Sequence, residues 1–207
     1  MRLDCAALED HELHDLMKAC VVPRPIAWVS TVGADGVANA APYSCYTFVA
    51  IQPPMLAFSV ELRPDGSKKD TLTNIESSGE FVVNVVPERL AEAMNATADD
   101  HPPEADEIAL VGLTALPSRS VAAPRIAECP IAMECRLHRL LPLEPSRSTL
   151  VLGEVLAVEI DPEAMRDGTI DAEAWRPVAR LDGNRYAHQG ELFELDRPWL
   201  DVKGRPK

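Results

Sequence analysis

The sequence predicts a mainly β fold, an antiparallel barrel with a few peripheral helices. Three observations predict it. Short β-rich runs recur along the chain, and the first of them meets Asp35-Gly36, a tight-turn signal of the kind that joins antiparallel neighbours. The helical stretches are short and do not alternate regularly with the strands, so a parallel βαβ sheet is not expected. No repeat occurs at a solenoid period.

The elements follow in order. Residues 8–20 read as a short helix, with Leu8, Leu13, Leu16, Met17 and Cys20 near one face and Pro23 and Pro25 ending it. Residues 26–32 are a β-rich run and 37–41 its returning strand, because Asp-Gly supplies the positive φ that a tight turn needs. Residues 55–60 form another strand, entered through Pro53-Pro54 and followed by a polar loop over 61–68. Residues 70–78 read as a helix closed by Gly79, 81–86 as a buried strand, and Pro87 opens a helix to about residue 96. Residues 97–108 are an acidic, Pro-rich loop. Residues 131–140 and 149–160 are the clearest late strands, joined by a Pro-containing connection. Trp28 and Phe58 alternate with small residues on their strands and read as core. The tail from about 181 carries Tyr186, His188, Phe193 and Trp199, aromatics that predict packing onto the rest of the chain.

A chain of 207 residues is long enough for one sizeable core and short for two domains, so a single domain over 1–207 is expected. With 46% hydrophobic and 26% charged residues it is a folded rather than a disordered composition. No apolar run approaches the ~20 residues that span a membrane, and the acidic N-terminus lacks the apolar segment of a signal peptide, so a cytoplasmic location is expected. A net charge of -13 without a basic block argues against nucleic acid as a partner. Cys5, Cys20, Cys45, Cys129 and Cys135 are odd in number and include no Cys-x-x-Cys pair, which predicts reduced, mostly buried thiols.

No G-x-G-x-x-G, no P-loop and no G-x-S-x-G elbow is present. His11 and His14 lie three apart on the first helix. Without a further ligand pattern they read as a solvated helix face, and no metal is expected.

Two stretches carry more specific information. The first runs Val22-Pro23-Arg24-Pro25-Ile26-Ala27-Trp28-Val29-Ser30-Thr31, then Asp35-Gly36, Asn39-Ala40-Ala41-Pro42-Tyr43-Ser44 and Gln52-Pro53-Pro54. The second runs Lys69-Asp70-Thr71-Leu72-Thr73-Asn74-Ile75, then Gly79-Glu80-Phe81-Val82-Val83-Asn84. Together they resemble the flavin reductase-like family, whose members have the FMN-binding split β-barrel of antiparallel Greek-key type. Gly112-Leu113-Thr114, Pro117-Ser118, Pro124-Arg125-Ile126, Glu134 to Leu137, Gly153-Glu154-Val155, Arg180-Leu181, Tyr186 and Arg197-Pro198 extend the likeness over most of the chain.

The resemblance implies a non-covalent FMN site built from Arg24, Ser30, Thr31, Asn39, Ala40, Ala41, Pro42, Tyr43, Ser44, Ser59, Lys69, Asp70, Thr71 and Tyr186. The small residues of 39–44 let backbone groups approach the ring edge, or are simply a strand end before a Pro turn. Lys69-Asp70-Thr71 places free N–H groups, a cation and a hydroxyl at a helix start, where a phosphate binds; the same residues also make an ordinary cap with Asp70 as N-cap. Ser30 and Thr31 point to opposite faces of their strand, so one of them reaches the flavin. Arg24 reads equally as a cation for phosphate or reduced flavin and as a structural ion pair. His101, in a loop that otherwise reads as solvated surface, is a candidate substrate contact.

The activity implied is an NAD(P)H-dependent flavin reductase passing hydride to FMN, with NADH or NADPH as donor and no catalytic acid or base, because the flavin carries the chemistry. A homodimer, and a partner oxygenase fed with reduced flavin, go with it. Two alternatives stand beside it: a flavoredoxin-like electron-transfer protein that keeps FMN bound and passes electrons to another protein, and a non-catalytic binding module on the same barrel.

Overall fold

Strand β1, Ala27–Val32, enters the Asp35-Gly36 turn and returns as β2, Ala38–Tyr43, with Val32 opposite Ala38. Gly36 has φ 85, and the Asp35 carboxylate accepts from the Val37 N–H at 3.1 Å, so the dipeptide closes the hairpin by the chemistry expected of it. The structure is a computed structural model and describes residues 1–195; Arg197, Pro198 and Trp199 lie outside the described residues.

The chain then crosses to the far edge of the sheet. There it builds β3, Tyr46–Ile51, and β4, Pro54–Glu61, before α2, Asp70–Ser78, brings it back to place β5, Glu80–Val85, beside β1. Two long strands, β6 (Ile131–Pro142) and β7 (Ser148–Ile160), bridge the halves. The resulting seven-stranded sheet has the order β2-β1-β5-β6-β7-β4-β3, antiparallel at every step. β3 is missing from the sequence reading. Its turn from β2, Ser44-Cys45, contains no Gly, Asn or Asp, and Phe48, Val49 and Ile51 face outward rather than into the core.

The sheet curls around an apolar interior. Phe58 and Phe81 meet edge to face at 5.4 Å, and Tyr43 lies 5.2 Å from Phe58. Gly153 on β7 is required here, because a Cβ would run into the Phe81 ring. A second cluster, including Trp28, Met94, Ile108 and Ile126, packs outside the sheet, and the Trp28 indole donates to Thr97 Oγ1 at 2.9 Å. Trp28 and Phe58 are therefore core, as expected, on opposite sides of the sheet.

Helix α1, Asp10–Cys20, starts slightly later than the sequence suggests, because residues 5–7 form a separate 3-10 turn and Glu9 and Glu12 make a reciprocal capping box. α2 ends at Gly79, whose φ of 70 allows the left-handed cap. α3, Ala91–Ala96, follows a 3-10 turn at Glu88–Leu90. The segment 97–108 is not all loop: α4, Glu107–Leu110, begins inside it, with the Asp106 carboxylate accepting from the Ala109 N–H at 3.0 Å. In the tail, Val178–Arg180 pairs with Tyr186–His188. Among the described residues no helix is long and apolar enough to cross a membrane.

Candidate functional site

The last residues of β2 and the first turn of α2 converge beneath the 61–68 loop. A cavity of about 800 Å³ opens there, with Tyr43, Ser44, Ser59, Arg63 and Lys69 among its walls. A narrower cleft of about 50 Å³ shares Pro42, Tyr43, Arg63 and Lys69 with it and reaches Asn39, Thr71 and Glu107.

Local structure explains the presentation of each group. Lys69 is the N-cap of α2, in an extended conformation, and it has no ion-pair partner among the described residues. The N–H groups of Asp70 and Thr71, first in the helix, have no intrahelical acceptor, and the positive end of the helix dipole points the same way. Asp70 is not the cap; its carboxylate meets Arg63 Nη2 at 2.7 Å. Arg63 also holds Asp100 at 3.0 Å and donates to the Lys68 carbonyl. Lys68 is occupied by Glu76 at 2.6 Å, so Lys69 is the cation left for a ligand at this helix start.

Behind the cleft lies a buried polar chain. Thr71 Oγ1 donates to Asn39 Oδ1 at 2.8 Å, Thr31 Oγ1 donates to the same oxygen at 3.2 Å, and Asn74 Nδ2 donates to Thr31 Oγ1 at 3.0 Å. Asn39 Nδ2 and the Ala40 N–H donate to the two oxygens of Glu107, at 2.9 and 3.1 Å. Burial raises the pKa of Glu107 above the ordinary carboxylate value, and these hydrogen bonds oppose the rise. The Tyr43 hydroxyl is buried in the cavity wall and makes no well-formed hydrogen bond among the described residues; burial pushes its phenol well above the usual range, and the nearby Thr71 hydroxyl opposes the rise.

The structure thus gathers Asn39, Ala41, Pro42, Tyr43, Ser44, Ser59, Lys69, Asp70 and Thr71 at one place. Thr31 and Ala40 stand behind it, in the polar chain. Three expected residues are elsewhere. Arg24 does not line the cavity and makes no ion pair among the described residues: its guanidinium donates to the carbonyls of Lys18, Val21 and Leu181, each at 2.6 Å, and to Ser44 Oγ in the cavity wall at 3.4 Å, and is 5% exposed. Ser30 is fully buried, donates to the Pro124 carbonyl and accepts from Asn84 Nδ2 at 2.9 Å. Tyr186 stacks under the Arg180 guanidinium at 4.5 Å and donates to Asn95 Oδ1 at 2.7 Å, outside the cavity walls.

Sequence reasoning missed Arg63, Arg147 and Glu107. The Pro64-Asp65-Gly66 turn carried a signal for Arg63, since it folds that residue back onto α2; Gly66 donates to the Arg63 carbonyl at 2.9 Å. His11 and His14 are exposed, as read, yet they line the large cavity together with Lys18. His101 lines the narrow cleft. Among the described residues there is no cluster that could hold a metal ion.

Residues 17–176 match the family model of the flavin reductase like domain. The chain belongs to this family. Nitrilotriacetate monooxygenase component B of Bacillus cereus is 36% identical, with a TM-score of 0.90 over 94% of this chain and 98% of the other. The 2-nitrobenzoate 2-nitroreductase of Pseudomonas fluorescens is 31% identical, with a TM-score of 0.86 over 96% of each chain. A Shewanella frigidimarina split-barrel protein assigned as a flavin reductase, 22% identical, superposes at 0.82 over 95% of this chain and 99% of its own, and shows the fold. The flavin reductase-like domain here is therefore a split barrel, and the cavity at β2 and α2 is its candidate cofactor site.

Proposed function

We propose that the protein binds FMN non-covalently at the β2–α2 cavity and acts as an NAD(P)H-dependent flavin reductase. The observation that carries this is a helix start whose N–H groups and Lys69 have no partner among the described residues, beside a buried Tyr43 hydroxyl that has only Thr71 near it and makes no well-formed hydrogen bond. Both fit a ligand with a polar body and an anionic end. A flavin mononucleotide has that shape, and a cavity of about 800 Å³ admits it with room for a second substrate.

Lys69 and the first N–H groups of α2 would hold the phosphate. Asn39 to Ser44 would lie along the ring, where small side chains and the break at Pro42 expose backbone groups. Bound flavin supplies the redox chemistry, so the protein needs no acid–base pair of its own. The chain's task is to position its substrates and to keep the cleft behind Tyr43 closed to water.

A homodimer fits the outer face of the sheet. Phe48 and Ile51 on the β3 edge are 73% and 79% exposed, and Val158 on β7 is 48% exposed, a surface that an isolated protomer would leave in water. The likeness to a monooxygenase component B supports delivery of reduced flavin to a partner oxygenase. Anaerobic mixing of the FMN-loaded protein with NADH, and separately with NADPH, tests the reductase reading. Bleaching of the flavin band by either donor supports it. Flavin that binds and stays oxidised with both would leave a flavoredoxin-like carrier instead.

A further inference from the structure

Glu107 is 5% exposed and, among the described residues, has no Lys or Arg partner; its carboxylate takes only Asn39 Nδ2 and the Ala40 N–H. An ionised carboxylate can accept but never donate. The Ala40 N–H is fixed by β2, so it settles one oxygen. The other oxygen forces the Asn39 carboxamide to turn its NH2 group toward Glu107 and its oxygen away. That oxygen accepts only, so Thr31 and Thr71 must both point their protons at it, as their 3.2 and 2.8 Å contacts show. The Thr71 oxygen, in a residue only 1% exposed, can therefore offer only lone pairs, one to the Tyr43 hydroxyl beside it and one to the cleft that it lines.

We propose that Glu107 is a positioning residue that sets the polarity of this cleft through Asn39, so that Thr71 receives an O–H or N–H group of the flavin and not a phosphate oxygen. The ligand's identity rests on the flavin reading above; the direction of the hydrogen bonds does not. The phosphate is left to Lys69 and the α2 N–H groups, and the donor beside Thr71 belongs to the part of the ligand that FMN and riboflavin share.

The device responds to pH. A protonated Glu107 carries a donor, so Asn39 can turn over and free the Thr71 proton. Burial raises the Glu107 pKa, so binding strength is present above that pKa and is lost as pH falls through it. The other charged or titratable groups on the cleft are Lys69 and Asp70 on α2, Asp99, Asp100 and His101 on the loop before α4, Tyr43 on β2 and Arg63. Glu107→Gln separates its contribution from theirs. A Gln side chain must place its NH2 against Ala40 or Asn39, and only an inverted Asn39 accommodates it.

Two measurements test the inference. In the flavin-free protein, the Asn39 side-chain amide resonance, identified by its loss in Asn39→Asp, should move with pH in the wild type and stay fixed over the same range in Glu107→Gln. A resonance that ignores pH in the wild type, or moves equally in both, overturns the polarity. In flavin titrations, Thr71→Val should weaken FMN and riboflavin alike, by about tenfold. Glu107→Gln should also weaken both, and Thr71→Val should have no further effect on that background. Additive losses, or a Thr71→Val loss confined to FMN, would overturn the assignment. Thermal melts confirm that each variant is folded. If the wild type binds neither flavin, the functional reading falls, while the amide titration still decides the polarity.

Discussion

Arg63 Nη2 lies 2.7 Å from Asp70 Oδ2, and this pair ties the 61–68 loop to the first turn of α2. Without it, the Asp70 carboxylate would stand as a free negative charge at the place proposed for a phosphate. Arg63→Ala should therefore raise the FMN dissociation constant by about tenfold or more and the riboflavin constant by far less, since a charge-assisted hydrogen bond is worth roughly 1.5–3 kcal/mol. Parallel fluorescence titrations with the two flavins check it; equal losses would place Arg63 away from the phosphate.

Lys69→Ala should show the same selectivity with little change in stability, because Lys69 has no ion-pair partner among the described residues. Its expected effect is about tenfold on FMN. The ratio of FMN to riboflavin affinity, compared at low and high salt, reads this directly: the wild-type preference for FMN should shrink with salt, and the variant should start with a smaller preference.

Arg24→Ala should damage stability and leave the intrinsic flavin affinity alone. It would strand three carbonyls that the guanidinium now satisfies, at residues 18, 21 and 181. A loss of about 3 kcal/mol or more is expected. Urea unfolding measures it, and flavin titration of the folded fraction should give the wild-type constant.

Gly153→Ala is expected to overpack the barrel against Phe81, costing about 1–3 kcal/mol. Phe81→Leu should recover part of that loss on the Gly153→Ala background, although alone it destabilises. A double-mutant cycle of unfolding free energies reads the coupling, and strict additivity would show that the two residues do not compete for space.

Ile51→Lys, or Phe48→Lys, should favour monomers while leaving the barrel folded, because both side chains face outward on an edge strand. Light scattering at several concentrations follows the change. A wild type that is monomeric throughout would remove the dimer from the proposal.

The sequence made most of the barrel legible through local chemistry. Asp35-Gly36 marked the hairpin, Gly79 closed α2, and the apolar run at 81–86 became β5 at Glu80–Val85. β3 was hidden because its turn lacks turn residues and its apolar side chains face out. α4 was hidden inside a Pro-rich acidic segment. At the site, residues 39–44 and 69–71 were legible through the family pattern. Glu107 was not, because its partners Asn39 and Ala40 are 68 and 67 residues away and no local pattern marks a buried carboxylate. The setting of Arg24, left open between a cofactor contact and a structural one, was hidden for the same reason: one of the carbonyls that binds it is 157 residues distant.

Titrating FMN with the folded protein, using riboflavin as the control, tests the central claim most directly. Saturable quenching of FMN fluorescence, with riboflavin bound much more weakly, is the predicted result and would support the cavity and its phosphate cradle together. Unchanged FMN fluorescence in protein shown to be folded would contradict the account.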